Sequence, residues 1–199
     1  MSVQKSTENR IRIGIFASGN GSNALRMLEY FKDHARIEVA KIYCNKVGAG
    51  VIQKGIDNGV DVQIFSRKSL TNNTLTNQLL RDEIDVVVLA GFLWKIPSSM
   101  IQAYPDKIIN IHPALLPLYG GKGMFGSHVH EAVISNGDKT SGITIHLVNE
   151  EYDRGRHLFQ TTIEISANEN ADTLAAKIHG LEHAHFPRVV EDYVNTRLI

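Results

Sequence analysis

The sequence predicts an α/β fold: a doubly wound, mostly parallel sheet with antiparallel strands toward the C-terminal end. Three observations predict it. As far as residue 111, short apolar runs alternate with longer amphipathic segments, the pattern of repeated strand–helix–strand units with right-handed crossovers. Val86-Val87-Val88-Leu89 is apolar at every position, as a strand buried on both faces must be. Beyond Pro117 the strand candidates lie too close together for full crossover helices, so the sheet should finish with antiparallel members.

Residues 11–17 form the first strand candidate. Ser18-Gly19-Asn20-Gly21-Ser22-Asn23 then opens a helix reaching residue 32. Residues 37–44 make a second strand and 49–58 a second helix, which ends near Gly59. A short third strand covers 62–65, a helix 72–81, a fourth strand 86–89 and a fifth 108–111. The glycine-rich stretch 118–126 reads as a loop. A helix over 128–135 and strands over 142–148 and 158–165 follow. The last element is a long helix over 172–195 that Pro187 should bend or interrupt. No repeat or linker divides the chain, so residues 1–199 are expected to form one domain, with 1–10 as a frayed leader.

With 199 residues, 43% of them hydrophobic, the chain can fill one core. Its 21 basic and 21 acidic residues cancel, which argues against a nucleic-acid partner. A single cysteine, Cys44, excludes an intrachain disulfide and fits a small buried apolar residue in a reducing compartment. Neither a signal-peptide core nor an apolar run of ~20 residues is present, so a cytoplasmic protein without membrane contact is expected.

The motif Gly19-x-Gly21-x-x-Ala24 follows a strand and opens a helix, where backbone N–H groups can receive a phosphate. A Cβ at Gly21 would intrude on that approach. A dinucleotide site would need an acidic residue at the end of the second strand, roughly 20 residues on. That strand ends instead at Cys44-Asn45, with Glu38 at its beginning, so NAD is not expected. No Gly-Lys-Ser/Thr makes the loop a Walker motif. The hydroxyl and amide side chains of Ser18, Asn20, Ser22 and Asn23 suit one phosphomonoester.

Asn110-Ile111-His112-Pro113 lies at the C-terminal end of a parallel strand, where open α/β sheets place ligands. Residues i and i+2 of a strand share a face, so Asn110 and His112 should look into one cleft. Pro113 keeps His112 extended. An amide donor beside an imidazole suits acyl-type transfer, in which a carbonyl oxygen becomes an oxyanion. His112 must then be charged near neutral pH, and a nearby carboxylate would raise its pKa. Asp153 is a candidate, although Glu150 and Glu151 compete with it on sequence alone.

At this point the chain resembles the phosphoribosylglycinamide formyltransferases, over about residues 11–195. The glycine loop is similar to that family's ribonucleotide-phosphate loop, which implies roles for Gly19, Asn20, Gly21, Ser22 and Asn23. Asn110-Ile111-His112-Pro113 with Leu115-Leu116-Pro117 resembles the signature of folate-dependent formyl transfer. The resemblance implies a Rossmann-like formyltransferase fold with Asn110, His112 and Asp153 as catalytic residues. It implies folate contacts from Leu93, Trp94, Lys95, Ile96, Asn110 and Arg67. Glu182-His183-Ala184 resembles the segment whose glutamate approaches the substrate amine. The chain departs from the family pattern at Trp94-Lys95, in the longer loop 119–126 and at Arg154 and Arg156.

The implied activity is transfer of the formyl group of 10-formyltetrahydrofolate to the amine of glycinamide ribonucleotide, in purine nucleotide biosynthesis. Methionyl-tRNA formyltransferase would carry a further C-terminal domain, and formyltetrahydrofolate hydrolase an N-terminal one; neither is expected. A non-catalytic nucleotide-binding module would not need Asn110, His112 and Asp153 together. No metal is expected. His128-x-His130 and His183-x-His185 fall in helical segments, where side chains two apart diverge.

Overall fold

The computed structural model describes residues 10–198, so the expected leader lies outside the described residues except for Arg10. Among the described residues the strands are β1 (Ile11–Ala17), β2 (Ile37–Cys44), β3 (Asp61–Ile64), β4 (Val86–Leu89), β5 (Ile108–His112), β6 (Thr140–Leu147) and β7 (His157–Glu164). They form one sheet in the order β3-β2-β1-β4-β5-β6-β7. The strands from β3 across to β5 pair in parallel, and β6 and β7 join antiparallel. The fold class matches the expectation.

The helices are α1 (Ser22–Phe31), α2 (Gly50–Asp57), α3 (Arg67–Thr71), α4 (Thr74–Arg81), α5 (Ser98–Ala103), α6 (Ser127–Ser135) and α7 (Ala171–Arg197). Alternating strand residues feed two cores. Ile13, Ile15, Val86 and Val88 pack with Met27 of α1, Val133 of α6 and Ile178 of α7. Phe16, Val87 and Leu89 pack on the other face with Leu70 of α3, Leu79 of α4 and Met100 of α5. Burying each such side chain fully stabilises the fold by roughly 1.5–3 kcal/mol. Cys44 is fully buried, and its thiol donates to the Lys46 carbonyl.

Three expectations need correction. The helices α3 and α5 were not expected; at five and six residues they are too short to carry a helical period. The helix expected from residue 72 begins at Thr74, because Asn73 takes a left-handed conformation at φ 65° and separates it from α3. Pro187 does not interrupt α7. It forfeits one N–H, but Phe186, Pro187 and Val190 are buried together and hold both halves in place.

Between β1 and β4 the chain departs to opposite faces, through α1 and α5. That divergence opens a crevice at the C-terminal strand ends.

Candidate active site

The crevice is a cleft of about 680 Å³ bounded by the glycine loop, residues 89–96, the end of β5, the loop 121–126, the β6–β7 turn and α7. The residues given catalytic, ribonucleotide or folate roles from the resemblance line it, except Arg67; Ser18 of the glycine loop does not.

Asn110 and His112 do share one face of β5, since both line the cleft two positions apart. His112 is buried, and its Nε2 donates to the Tyr119 carbonyl at 2.7 Å. Its Nδ1 lies 3.8 Å from Asp153 Oδ2. Asp153 is the acid that the fold selects. Its Oδ2 also accepts from the Gly121 N–H at 2.9 Å, and its carboxyl is held below the usual range despite burial, chiefly by His146 and His112. Gly120 allows this closure, because a Cβ there would lie 2.7 Å from Leu116 and 3.2 Å from Asp153.

The direction of the His112 pKa differs from expectation. Burial is the dominant influence and lowers its pKa. Asp153 and the Tyr119 carbonyl push it up without overcoming that, and His146 adds to the depression. The sequence suggested the carboxylate but not how little solvent would reach the ring.

The exit from the motif is pinned. Thr144 Oγ1 donates to the Ala114 carbonyl at 2.7 Å and accepts from the Leu116 N–H at 3.0 Å. Gln160 caps the same carbonyl-rich turn by donating to Leu116 O and Thr144 Oγ1.

Gly21 precedes α1 at φ 77°, so the first amides of the helix lack intrahelical partners and face the cleft region. Its glycine requirement has a cause within the protein as well: a Cβ would strike Val51 of α2 at 2.5 Å. Gly19 is open, with nothing within 4 Å of its would-be Cβ. Lys54 Nζ donates to Asn20 Oδ1 at 2.9 Å, which brings a cation to the loop. Ser18 serves the scaffold, its hydroxyl accepting from the Leu93 N–H at 3.1 Å. Glu182 is buried on α7 and accepts from Asn23 Nδ2 at 2.8 Å; burial raises its pKa.

Leu93, Trp94, Lys95 and Ile96 form one wall. Arg67 lies against that wall, its guanidinium stacked 4.6 Å from the centre of the Trp94 ring. Three contributors escaped sequence reading. His146 lies opposite Asn110 in the antiparallel β5–β6 register, 3.1 Å from its Nδ2 and 3.6 Å from Asp153 Oδ1. A histidine on the Thr144 face of β6, set between Ile145 and Leu147, was the available signal. His130 and His179 also reach the cleft. His128 and His130 diverge as expected, one exposed and one buried.

A doubly wound sheet with an amide, an imidazole and a carboxylate beside a glycine loop places the chain in the Rossmann-like class, with side chains of the kind that acyl transfer uses. A family model described as formyl transferase matches residues 11–190, and the chain belongs to that family. It is 39% identical to a chloroplastic phosphoribosylglycinamide formyltransferase of Vigna unguiculata, over 97% of this chain and 64% of that protein. It is 34% identical to phosphoribosylglycinamide formyltransferase of Bacillus subtilis, over 90% of this chain and 93% of that one. Among solved structures, glycinamide ribonucleotide transformylase 1 of Symbiobacterium toebii superposes with a TM-score of 0.87 at 26% identity, covering 98% of this chain and 95% of that one. The chain thus spans just under two thirds of the plant relatives it matches.

Proposed function

We propose that the chain transfers the formyl group of 10-formyltetrahydrofolate to the amine of glycinamide ribonucleotide, a step of purine nucleotide biosynthesis. The observation that carries this reading is the convergence of Asn110, His112 and Asp153 in one cleft that the glycine loop also lines. One N–H of the Asn110 amide is committed to His146, and the other is left for an oxyanion.

His112 enters the reaction with its Nε2 proton donated to the Tyr119 carbonyl and Nδ1 open to accept another. Its Nδ1 takes the proton that the amine loses as the new C–N bond forms. The resulting imidazolium is stabilised by Asp153 and, with Asn110, holds the oxyanion. The same proton then passes to folate N10 as the old C–N bond breaks. Glu182 and the amides of Gly19, Asn20, Gly21, Ser22 and Asn23 hold the ribonucleotide amine and phosphate. Leu93, Trp94, Lys95 and Ile96 hold the folate, with Asn110 at its formyl end. Arg67, stacked on the Trp94 ring, is the further folate contact beside that wall. Residues 1–199 act as a single formyltransferase domain.

The partners are these two small molecules, without nucleic acid or membrane, and the location is cytoplasmic. Among the described residues no helix is long and apolar enough to cross a membrane. The chemistry requires only the amide, imidazole and carboxylate, so activity should survive chelation with EDTA.

The test is an assay with both substrates beside Asn110→Ala, His112→Ala and Asp153→Ala. Each is expected to lose ~10²–10³ in turnover with the fold retained, and double variants less than the product of the singles. Near-normal turnover in folded His112→Ala would sink the mechanism.

A further inference from the structure

The loop after β5 does more than border the cleft. Tyr119 adopts φ 53°, the left-handed region, which a bulky side chain occupies only where its surroundings hold it. What holds it is visible. Its hydroxyl donates to Asp138 Oδ2 at 2.6 Å, and Asp138 is itself fixed by Asn136, whose Nδ2 donates to Asp138 Oδ1 at 2.7 Å. This anchor faces a separate small cavity of about 200 Å³, shared with Leu118 and Ser141, and does not line the catalytic cleft. The other end of Tyr119 does serve the cleft, because its carbonyl accepts from His112 Nε2 at 2.7 Å.

We infer that Tyr119, anchored through its hydroxyl on Asp138, is a positioning residue for His112: its carbonyl claims the Nε2 proton, so Nδ1 is the nitrogen that exchanges protons with the reacting groups. A neutral imidazole carries one N–H, and the partner of one ring nitrogen decides the state of the other. Nδ1 faces Asp153 at 3.8 Å, too far for a hydrogen bond and close enough to stabilise the imidazolium. The other ionisable groups around the ring are His146 of β6 and His130 of α6. Neither supplies an acceptor to Nε2, and among the described residues the Tyr119 carbonyl is the hydrogen-bond acceptor that fixes a proton on that nitrogen. The proton balance is unchanged: Nδ1 receives one from the amine and returns one to folate N10.

This inference rests on His112 as the proton carrier, and it is tested by a readout that does not depend on turnover. In nitrogen-15 spectra the neutral His112 ring should be the Nε2–H tautomer. Tyr119→Phe removes only the hydroxyl and Asp138→Ala only the anchor. Each should mix the tautomers, move the His112 titration midpoint to lower pH, and lower kcat on the order of 10-fold, with KM for both substrates little changed. Asp138→Asn keeps an acceptor for the hydroxyl and should restore tautomer and rate. A folded Tyr119→Phe with an unchanged tautomer overturns the inference, whether or not its rate falls. If His112→Ala remains active while the tautomer shifts as expected, positioning stands and the proton-carrier reading falls.

Discussion

Asn110 and His146 face each other across β5 and β6, with the amide nitrogen 3.1 Å from the imidazole Nε2. His146 Nδ1 donates to the Leu147 carbonyl at 2.8 Å, which fixes the orientation of the ring on its strand. The oxyanion donor proposed for catalysis is therefore aimed by a buried ring on the next strand.

Acid should destabilise this protein before its carboxylates titrate. Burial lowers the pKa of His112, His130 and His183 from the ordinary 6.5. For a group depressed in the folded state, stability is full above the unfolded pKa and is lost as pH falls through the folded one. Urea denaturation should thus give lower stability at pH 5.5 than at pH 7.5. His130→Gln, which cannot ionise, should show a smaller drop; an equal drop would remove His130 from the account.

Glu182 works in the opposite sense. Its folded pKa is raised, so its contribution is present at low pH and is lost as pH rises. Glu182→Gln keeps an acceptor for Asn23 Nδ2 and removes the buried charge. It should unfold at higher denaturant than the parent at pH 8, yet bind glycinamide ribonucleotide more weakly by calorimetry. Unchanged ribonucleotide affinity would make Glu182 a scaffold residue only.

The two loop glycines should separate folding from binding. Gly21→Ala meets Val51 in a left-handed backbone conformation and should destabilise by more than ~1 kcal/mol, seen as a lower Tm. At Gly19 the Cβ meets no protein atom, so Gly19→Ala should leave Tm alone. It should weaken glycinamide ribonucleotide and spare a folate analogue. Parallel calorimetric titrations decide this, and equal affinity for the ribonucleotide before and after the change would move the phosphate off the loop.

Trp94, the only tryptophan, is half-buried on the cleft wall under Arg67. Its emission should change saturably as a folate analogue binds, after correction for ligand absorption. Trp94→Phe should abolish the signal and retain substantial activity, since backbone groups of this wall are the proposed pterin contacts. Corrected emission that stays flat at saturation would place the folate elsewhere.

Much of the architecture was legible because it rests on local periodicity. The all-apolar run of β4 required burial on both faces, and the close spacing of β6 and β7 required antiparallel pairing. Asn110 and His112 were legible from their spacing of two on a strand. Other features left little local trace. The helices α3 and α5 are shorter than two helical turns. Glu182 stood out only through the family resemblance, because one acid on a long polar helix has no distinguishing neighbours in sequence.

By itself the sequence determined the fold class, the strand end that borders the cleft and the two side chains of β5 that face it. Those follow from alternation and spacing, properties of adjacent residues. Only the tertiary structure selected Asp153 from the neighbouring acids, set His146 against Asn110 and brought the Tyr119 carbonyl onto His112. It also reversed the expected direction of the His112 pKa. Contacts between distant segments and the exclusion of water are products of packing, and no local pattern records how deeply a ring will be buried.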